Sequence, residues 1–191
     1  MSTNIRISMS DPSFGLTKVP DFPYVRFDSG PVIYEEALIE GQYLGAHWSA
    51  MGRPGSRQRV WDALSGRPES HYPLRQRQHA FQLEVDGQLL ADHWGWVEGM
   101  EVSAGAAPRR EAVVRLRHLL RPITVEVHTA LDGSPVLTRW LVIQNVGDRP
   151  AAIAQADPWS GLLFHRPDDH SHPIHVEPVF VVGRYRHVEW A

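Results

Sequence analysis

Apolar and polar residues alternate over short stretches of this chain, most clearly between residues 111 and 145. Within residues 123–128 every second residue is apolar, which is the period of a β-strand with one buried face. Residues 136–143 are apolar on both faces, so we expect other parts of the protein to cover each face. Asp132-Gly133 lies between these segments and predicts a hairpin turn.

The segment before this hairpin, residues 111–120, fits two periods. Val114, Leu116 and Leu120 suit a strand, whereas Val113, Leu116 and Leu120 also recur at helical spacing. We expect a strand, because β patterns flank the segment and Pro122 follows closely.

The same alternation predicts strands along the rest of the chain. They cover residues 4–9, 24–27, 32–38, 42–48, 78–85, 88–91, 93–102, 151–156, 160–164 and 176–190. In residues 93–102 a regular strand would place Trp94, Trp96, Glu98 and Met100 on one side.

Short strands with turn signals about every 8–12 residues predict an all-β fold. We expect a large antiparallel two-sheet β-sandwich, with a closed barrel as the alternative architecture. Residues 1–191 are expected to form one domain, and residues 50–77, rich in Gly, Pro, Arg and Ser, a long loop excursion. Because the chain stops inside the strand-like segment 176–190, we expect it to be the N-terminal part of a longer protein.

Composition narrows the function classes. The 191 residues are 42% apolar, carry a net charge of −3 and include no cysteine, so thiolate metal sites and disulfides are excluded. The basic field of a nucleic-acid binder is missing. There is neither a secretory signal pattern nor an apolar run long enough to cross a membrane. We therefore expect a cytoplasmic protein with no nucleic-acid partner, no membrane partner and no cofactor.

The seven tryptophans favour a carbohydrate ligand, because indole rings stack on the C–H faces of sugars. The predicted carbohydrate-binding residues are Trp61, on the long loop, and His93, Trp94, Trp96 and Glu98. The alternative for Trp94 and Trp96 is burial on one apolar strand face. Trp140 is interpreted as core or inter-domain packing.

The sequence gives less support for a metal site or for a catalytic site. The run His165 to His175 holds four histidines and two aspartates, which are zinc ligand types, but its spacing matches no metal motif. We interpret it as a solvated loop and predict no metal site. The chain lacks G-x-S-x-G and phosphate-loop motifs, so no catalytic residue is assigned.

Two segments resemble a known family. FQLEVDGQLL, residues 81–90, is followed by residues 111–153, which include PVLTRW and IQNVGD. Their order and spacing are similar to the N-terminal domain of family 36 glycoside hydrolases, the α-galactosidases and their relatives. The resemblance covers residues 81–164, and the first 75 residues match only loosely.

The resemblance implies a galactose-mutarotase-like β-supersandwich that precedes a catalytic (β/α)₈ barrel in a retaining glycoside hydrolase. This chain is too short to contain the barrel, so the implied role is a non-catalytic domain. Such a domain supports the barrel, joins a homo-oligomer and lends a loop aromatic to the sugar site.

Two other functions stay open. One is a free-standing carbohydrate-binding β-sandwich. The other is a mutarotase-like sugar epimerase, which needs a histidine and a carboxylate in one cleft. His118 or His128, with Glu98 or Glu126, are the residues that could supply them.

Overall fold

The computed structural model describes residues 3–8, 21–55, 79–102 and 109–159, and these residues form an all-β protein. They contain eleven strands and no helix. The strands are β1 Thr3–Ser8, β2 Tyr24–Ser29, β3 Val32–Ile39, β4 Gln42–Ser49, β5 Gln82–Val85, β6 Gln88–Leu89, β7 Trp94–Val102, β8 Arg110–His118, β9 Ile123–Leu131, β10 Leu137–Asn145 and β11 Ile153–Asp157.

The strands form three antiparallel sheets. The first sheet has the order β1-β2-β3-β4, the second β10-β9-β8-β7, and the third β11-β5-β6. Within the described ranges none of the sheets closes into a barrel. The expected all-β sandwich is therefore confirmed, with a small third sheet in addition to the two that were predicted.

Period-two patterning explains why these segments are strands. Ile123, Val125 and Val127 of β9 are buried, whereas Thr124 and Glu126 between them are partly exposed. Strand pairing satisfies backbone groups at the strand edges but covers neither face of a sheet, so the apolar face of each sheet must pack against another layer.

The segment with two possible periods is the regular strand β8. Its buried inward residues Ala112, Val114 and Leu116 alternate along the strand, which confirms the strand prediction. Both edges of β8 are paired, one with β7 and the other with β9, and this pairing fixes which side chains point inward.

One core joins all three sheets. The first sheet contributes Val25 and Phe27, the second Val114 and Val125, and the third Leu83, all in one buried cluster. A five-residue apolar cluster on the other face of the first sheet includes Phe22 and Leu44. Burial of apolar side chains on this scale is the main force that holds the sheets together.

A buried ion pair crosses the main core. Arg139 of β10 donates through Nη1 to Glu36 Oε1 of β3, and both side chains have no exposed surface. Tyr43 donates its hydroxyl to Glu36 Oε2 at 2.5 Å. Burial, followed by the charge of Glu36, raises the pKa of Tyr43 well above its usual value, so the phenol stays protonated.

Aromatic rings surround the arginine of this pair. The guanidinium carbon of Arg139 lies 4.7 Å from the centre of a Trp159 ring and 5.9 Å from that of Tyr34. Its Nε and Nη2 atoms are buried without a hydrogen-bond partner. The charge is thus held by Glu36 and by ring faces rather than by a full set of hydrogen bonds.

Two turns link the first and second sheets at one end of the sandwich. Asp132 Oδ1 accepts from the Ser134 amide at 2.8 Å, which shapes the predicted Asp132-Gly133 turn between β9 and β10. Ser29 of β2 donates its hydroxyl to the Ser134 carbonyl at 2.6 Å. Gly30 has φ +56°, and a Cβ built on it would lie 2.8 Å from the Gly133 oxygen.

Strand β10 differs from its prediction. Leu137, Leu141 and Ile143 pack on the core, as one apolar face should. On the other face, Val142 is exposed, so the expectation that both faces are covered is wrong for this residue in the described part of the chain. The reason is that Val142 alternates with these core residues and therefore points to the outer face of the second sheet, away from the core.

Several predictions fall outside the described residues. These are the strands at 160–164 and 176–190, residues 56–77 of the long excursion, and the histidine-rich run at 165–175. Residues 51–55, at the start of the excursion, contain no strand.

The close approach at Gly30 gives a stability prediction. Gly30→Ala should lower the free energy of unfolding by about 2–3 kcal/mol, because the methyl group adds a clash to the cost of positive φ. Gly87 is the matched control, since it has φ +74° but nothing within 4 Å of its Cβ position. Gly87→Ala should cost only about 1 kcal/mol, as measured by urea unfolding. Equal costs for the two variants would contradict the inferred contact with Gly133.

The buried pair gives a second prediction. Arg139→Met should lower the free energy of unfolding by about 3–5 kcal/mol, because it leaves the Glu36 carboxylate buried without an opposite charge, with only the Tyr43 hydroxyl bonded to it. The double variant Glu36→Leu/Arg139→Met should recover most of that loss in the same denaturation experiment. A double variant as unstable as the sum of the two single variants would mean that the residues do not act as a pair.

Candidate functional site

Polar side chains gather on the outer face of the second sheet, away from the core. Strand register places Arg115 beside both Glu98 and Glu126, and His128 beside Trp140. Directly paired residues in an antiparallel sheet share a face, so these side chains lie together. The outer-face cluster consists of Glu98, Glu111, Arg115, Glu126, His128 and Trp140.

A β-bulge in β7 brings Glu98 into this cluster. Trp96 pairs with Leu116 and Glu98 pairs with Arg115, so Val97 is the extra residue between them. Without the bulge, Glu98 would share the inward face of Trp96. The prediction that Trp94, Trp96, Glu98 and Met100 lie on one side is therefore wrong, because the bulge moves Glu98 and Met100 to the outer face.

Arg115 connects the two outer glutamates. Its Nε and Nη2 donate to Glu126 Oε1 at 2.9 and 2.5 Å, and its Nη1 donates to Glu98 Oε1. The hydrogen bond from Arg115 is the main reason that the pKa of Glu126 is lowered below its usual value. The same bond is the main reason that the pKa of Arg115 is raised. Both groups are therefore charged at neutral pH.

His128 lies between two carboxylates and an indole. Its Nδ1 is 2.7 Å from Glu111 Oε1, and its Nε2 is 3.4 Å from Glu126 Oε2. Because an ionised carboxylate only accepts, the Nδ1–H donates to Glu111. The imidazole stacks on Trp140, with ring centres 4.8 Å apart and planes 17° apart. These contacts fix the orientation of the imidazole.

The cluster changes in exposure across the sheet. The side chains of Glu98 and Arg115 are 38% and 40% exposed, whereas those of His128 and Glu111 are each 15% exposed. Glu126 lies between them in exposure, at 28%. The cluster thus has an accessible polar side next to a rigid, more protected imidazole.

This arrangement suits the recognition of hydroxyl-rich molecules. Carboxylate oxygens accept hydrogen bonds from hydroxyl groups, and guanidinium N–H groups donate to hydroxyl oxygens. Indole provides an apolar surface next to these polar groups, which is the combination that small-molecule sites use for orientation and affinity. A histidine hydrogen-bonded to a carboxylate is also a possible proton donor or acceptor.

Trp94, one of the predicted carbohydrate-binding residues, lies in the core. Its exposed fraction is 3%, and its Nε1–H donates to the Leu90 carbonyl at 3.0 Å. Phe81 and His118 contact it edge to face at ring separations of 5.3 and 5.1 Å. A sugar could reach this indole only if the core opened, so burial on a strand face is the arrangement that the structure has.

Trp96 and His93 also lie outside the outer-face cluster. Trp96 is partly buried and packs against the core on the inward face. His93 is exposed at the start of β7, has φ +62°, and places Nδ1 2.7 Å from Asp92 Oδ1. Of the five predicted residues, only Glu98 belongs to the cluster, and Trp61 lies outside the described residues.

The cluster contains residues that the site prediction did not name. Glu111 and Arg115 had no assigned role, and Trp140 was interpreted as packing. The sequence did carry one signal, since Glu126 and His128 alternate with buried valines and so had to share the outer face. His128 and Glu126 were also named as candidates for a mutarotase-like pair, and the structure brings them to 3.4 Å.

Neither a metal centre nor a membrane span is found in the described parts of the chain. No group of three or more metal-ligating side chains occurs there. The same residues include no helix able to cross a membrane.

Comparison of the chain with protein-family models, with curated proteins and with solved structures gives no match.

The lowered pKa of Glu126 predicts a specific pH dependence. Its contribution to stability is present above the unfolded-state pKa of about 4.3 and is lost as pH falls through the lower folded-state value. Glu126→Gln should therefore be less stable than wild type at pH 6, and the difference should shrink towards pH 3. Urea unfolding at several pH values measures this difference, with Asp148→Asn, in the exposed turn after β10, as the control for removing a surface carboxylate. A difference that stays constant with pH would contradict the Arg115 contact as its source.

Proposed function

We propose that this β-sandwich is a carbohydrate-binding domain that uses the outer-face cluster. The observation that supports it is the Trp140–His128 stack held beside fixed carboxylates. Sugars present both apolar C–H faces and hydroxyl groups, and this surface offers a complement to each.

The cluster is already ordered by its internal hydrogen bonds. Arg115 is held by two carboxylates and His128 by Glu111, so binding would cost little side-chain entropy. Hydroxyl groups of a sugar would donate to the remaining lone pairs of Glu98 and Glu126. The exposed side of the cluster is therefore where the proposed sugar contacts begin.

The larger protein context is a proposal from the family resemblance. The domain would be the non-catalytic N-terminal sandwich of an α-galactosidase-like glycoside hydrolase in the cytoplasm. It would support a downstream catalytic barrel and a homo-oligomer, and the catalytic carboxylates would lie in that barrel.

A second candidate is a mutarotase-like sugar epimerase. It is favoured by the contact of His128 with Glu111 and its approach to Glu126. Ring opening of a pyranose needs a base that takes the proton of the anomeric hydroxyl and an acid that protonates the ring oxygen as the C1–O5 bond breaks. A histidine between two carboxylates provides both types of group.

Calorimetry tests the binding proposal. Galactose, glucose and short galactosides titrated at millimolar concentration should give a saturable heat with wild type. Trp140→Ala should weaken the binding by about fivefold or more, because stacking on one indole contributes about 1 kcal/mol or more. Gln144→Ala is the matched control, since it lies on the same face of β10 but outside the cluster.

No saturable heat with any sugar, or equal losses in both variants, would overturn the binding proposal. An anomerisation assay separates the two candidates. Catalysed mutarotation that His128→Asn abolishes would favour the epimerase, whereas binding without catalysis would favour the binding domain.

A further inference from the structure

His118, the last residue of β8, lies outside the outer-face cluster and has a different set of contacts. It is almost fully buried. Its Nδ1 accepts the backbone N–H groups of Leu120 at 3.3 Å and Arg121 at 3.0 Å. Because a backbone N–H can only donate, Nδ1 must carry a lone pair, and the ring proton must be on Nε2.

Other hydrogen bonds hold the two ends of the turn. The Ile123 amide donates to the Arg121 carbonyl, and the Val146 amide donates to the Pro122 carbonyl, both at 2.7 Å. The Leu119 amide donates to the His93 carbonyl at 2.7 Å, and Arg121 Nη2 donates to Asp86 Oδ2 at 2.8 Å. Leu119 and Leu120 are 56% and 66% exposed. Little apolar burial therefore holds this turn, and the imidazole provides the acceptor for two of its amides.

The groups around His118 disfavour a second proton on the ring. Burial is the main cause of its lowered pKa, and the neighbouring His93 is the next cause. The two rings are 6.2 Å apart. Arg121 in the turn also lowers the pKa, while Asp92 acts against these effects. The Asp92 carboxylate is at the same time hydrogen-bonded to His93.

We propose that the turn between β8 and β9 is a pH-sensitive latch, closed while His118 is neutral and released when Nδ1 takes up a proton. A proton on Nδ1 would face the N–H groups of Leu120 and Arg121, so both hydrogen bonds would be lost together. The exposed Leu119–Leu120 pair would then change its position in mild acid, while the sheets keep their own hydrogen bonds. The release of this turn does not depend on what the outer-face cluster binds.

The lowered pKa of His118 determines how the stability of the turn changes with pH. A folded-state pKa below the unfolded value of about 6.5 means that His118 contributes stability above that pH. The contribution is lost progressively as pH falls towards the folded-state value. The latch is thus closed at neutral pH and weakened in mild acid.

Amide hydrogen exchange by NMR on the full chain tests the proposal. Between pH 7.5 and 5, protection of the Leu120 and Arg121 amides, corrected for intrinsic exchange, should fall by about tenfold. The Val125 and Val127 amides in β9 report on the sheet and should keep their protection. Unchanged protection at Leu120 and Arg121, or equal loss in β9, would overturn the proposal.

Two variants isolate the imidazole. His118→Asn keeps an acceptor near the Nδ1 position without a titrating group, so the turn should no longer respond to pH. His93→Asn suits the positive φ at that position and removes a source of repulsion, so the midpoint of release should move to higher pH. If His118→Asn fails to fold, nitrogen NMR of wild type still decides. A protonated Nδ1 at pH 7.5 would contradict the latch.

Discussion

The buried pair of Glu36 and Arg139 is the constraint on which the arrangement of the two large sheets depends. A charge without water must have an opposite charge within reach, so β3 and β10 can meet in only a narrow range of positions. Apolar contacts alone would allow the sheets to slide, since burial has no direction. The pair, together with the Ser29–Ser134 hydrogen bond between the turns, positions β10, and β10 carries Trp140 of the outer-face cluster. The interior charge and the surface chemistry are linked through one strand.

The register between neighbouring strands relates the position of β10 to the positions of the side chains on the outer face. Once β10 is fixed, pairing with β9 places Trp140 beside His128, and pairing of β9 with β8 places Glu126 beside Arg115. The bulge at Val97 completes the set, because it turns Glu98 outward. The cluster is therefore built by strands that run through the whole sheet. Its geometry should be as rigid as the sheet, which is what a surface needs to bind a weakly held polar ligand.

Much of the fold could be predicted from local pattern. Alternation identified β9, and Asp132-Gly133 identified the turn that follows, because both depend on neighbouring residues. The bulge could not be predicted, since nothing in the sequence around Val97 marks an extra residue. That single residue reversed the expected side of Glu98. The Glu36–Arg139 pair was also missed, because its partners lie on strands far apart in the chain. The number of tryptophans alone does not tell which of them bind a ligand, since the indole of Trp94 is buried in the core.

The proposed sugar-binding surface is the outer face of the second sheet. Chemical-shift mapping of the full chain, titrated with galactose and with a short galactoside, tests this proposal most directly. If this face binds sugar, saturable shifts are expected at the indole N–H of Trp140, the imidazole of His128 and the amides of Glu98 and Arg115. No change is expected at the indole N–H of Trp94, which is buried in the core. Shifts confined to other surfaces, or no shifts at millimolar sugar, would contradict sugar binding at the outer-face cluster.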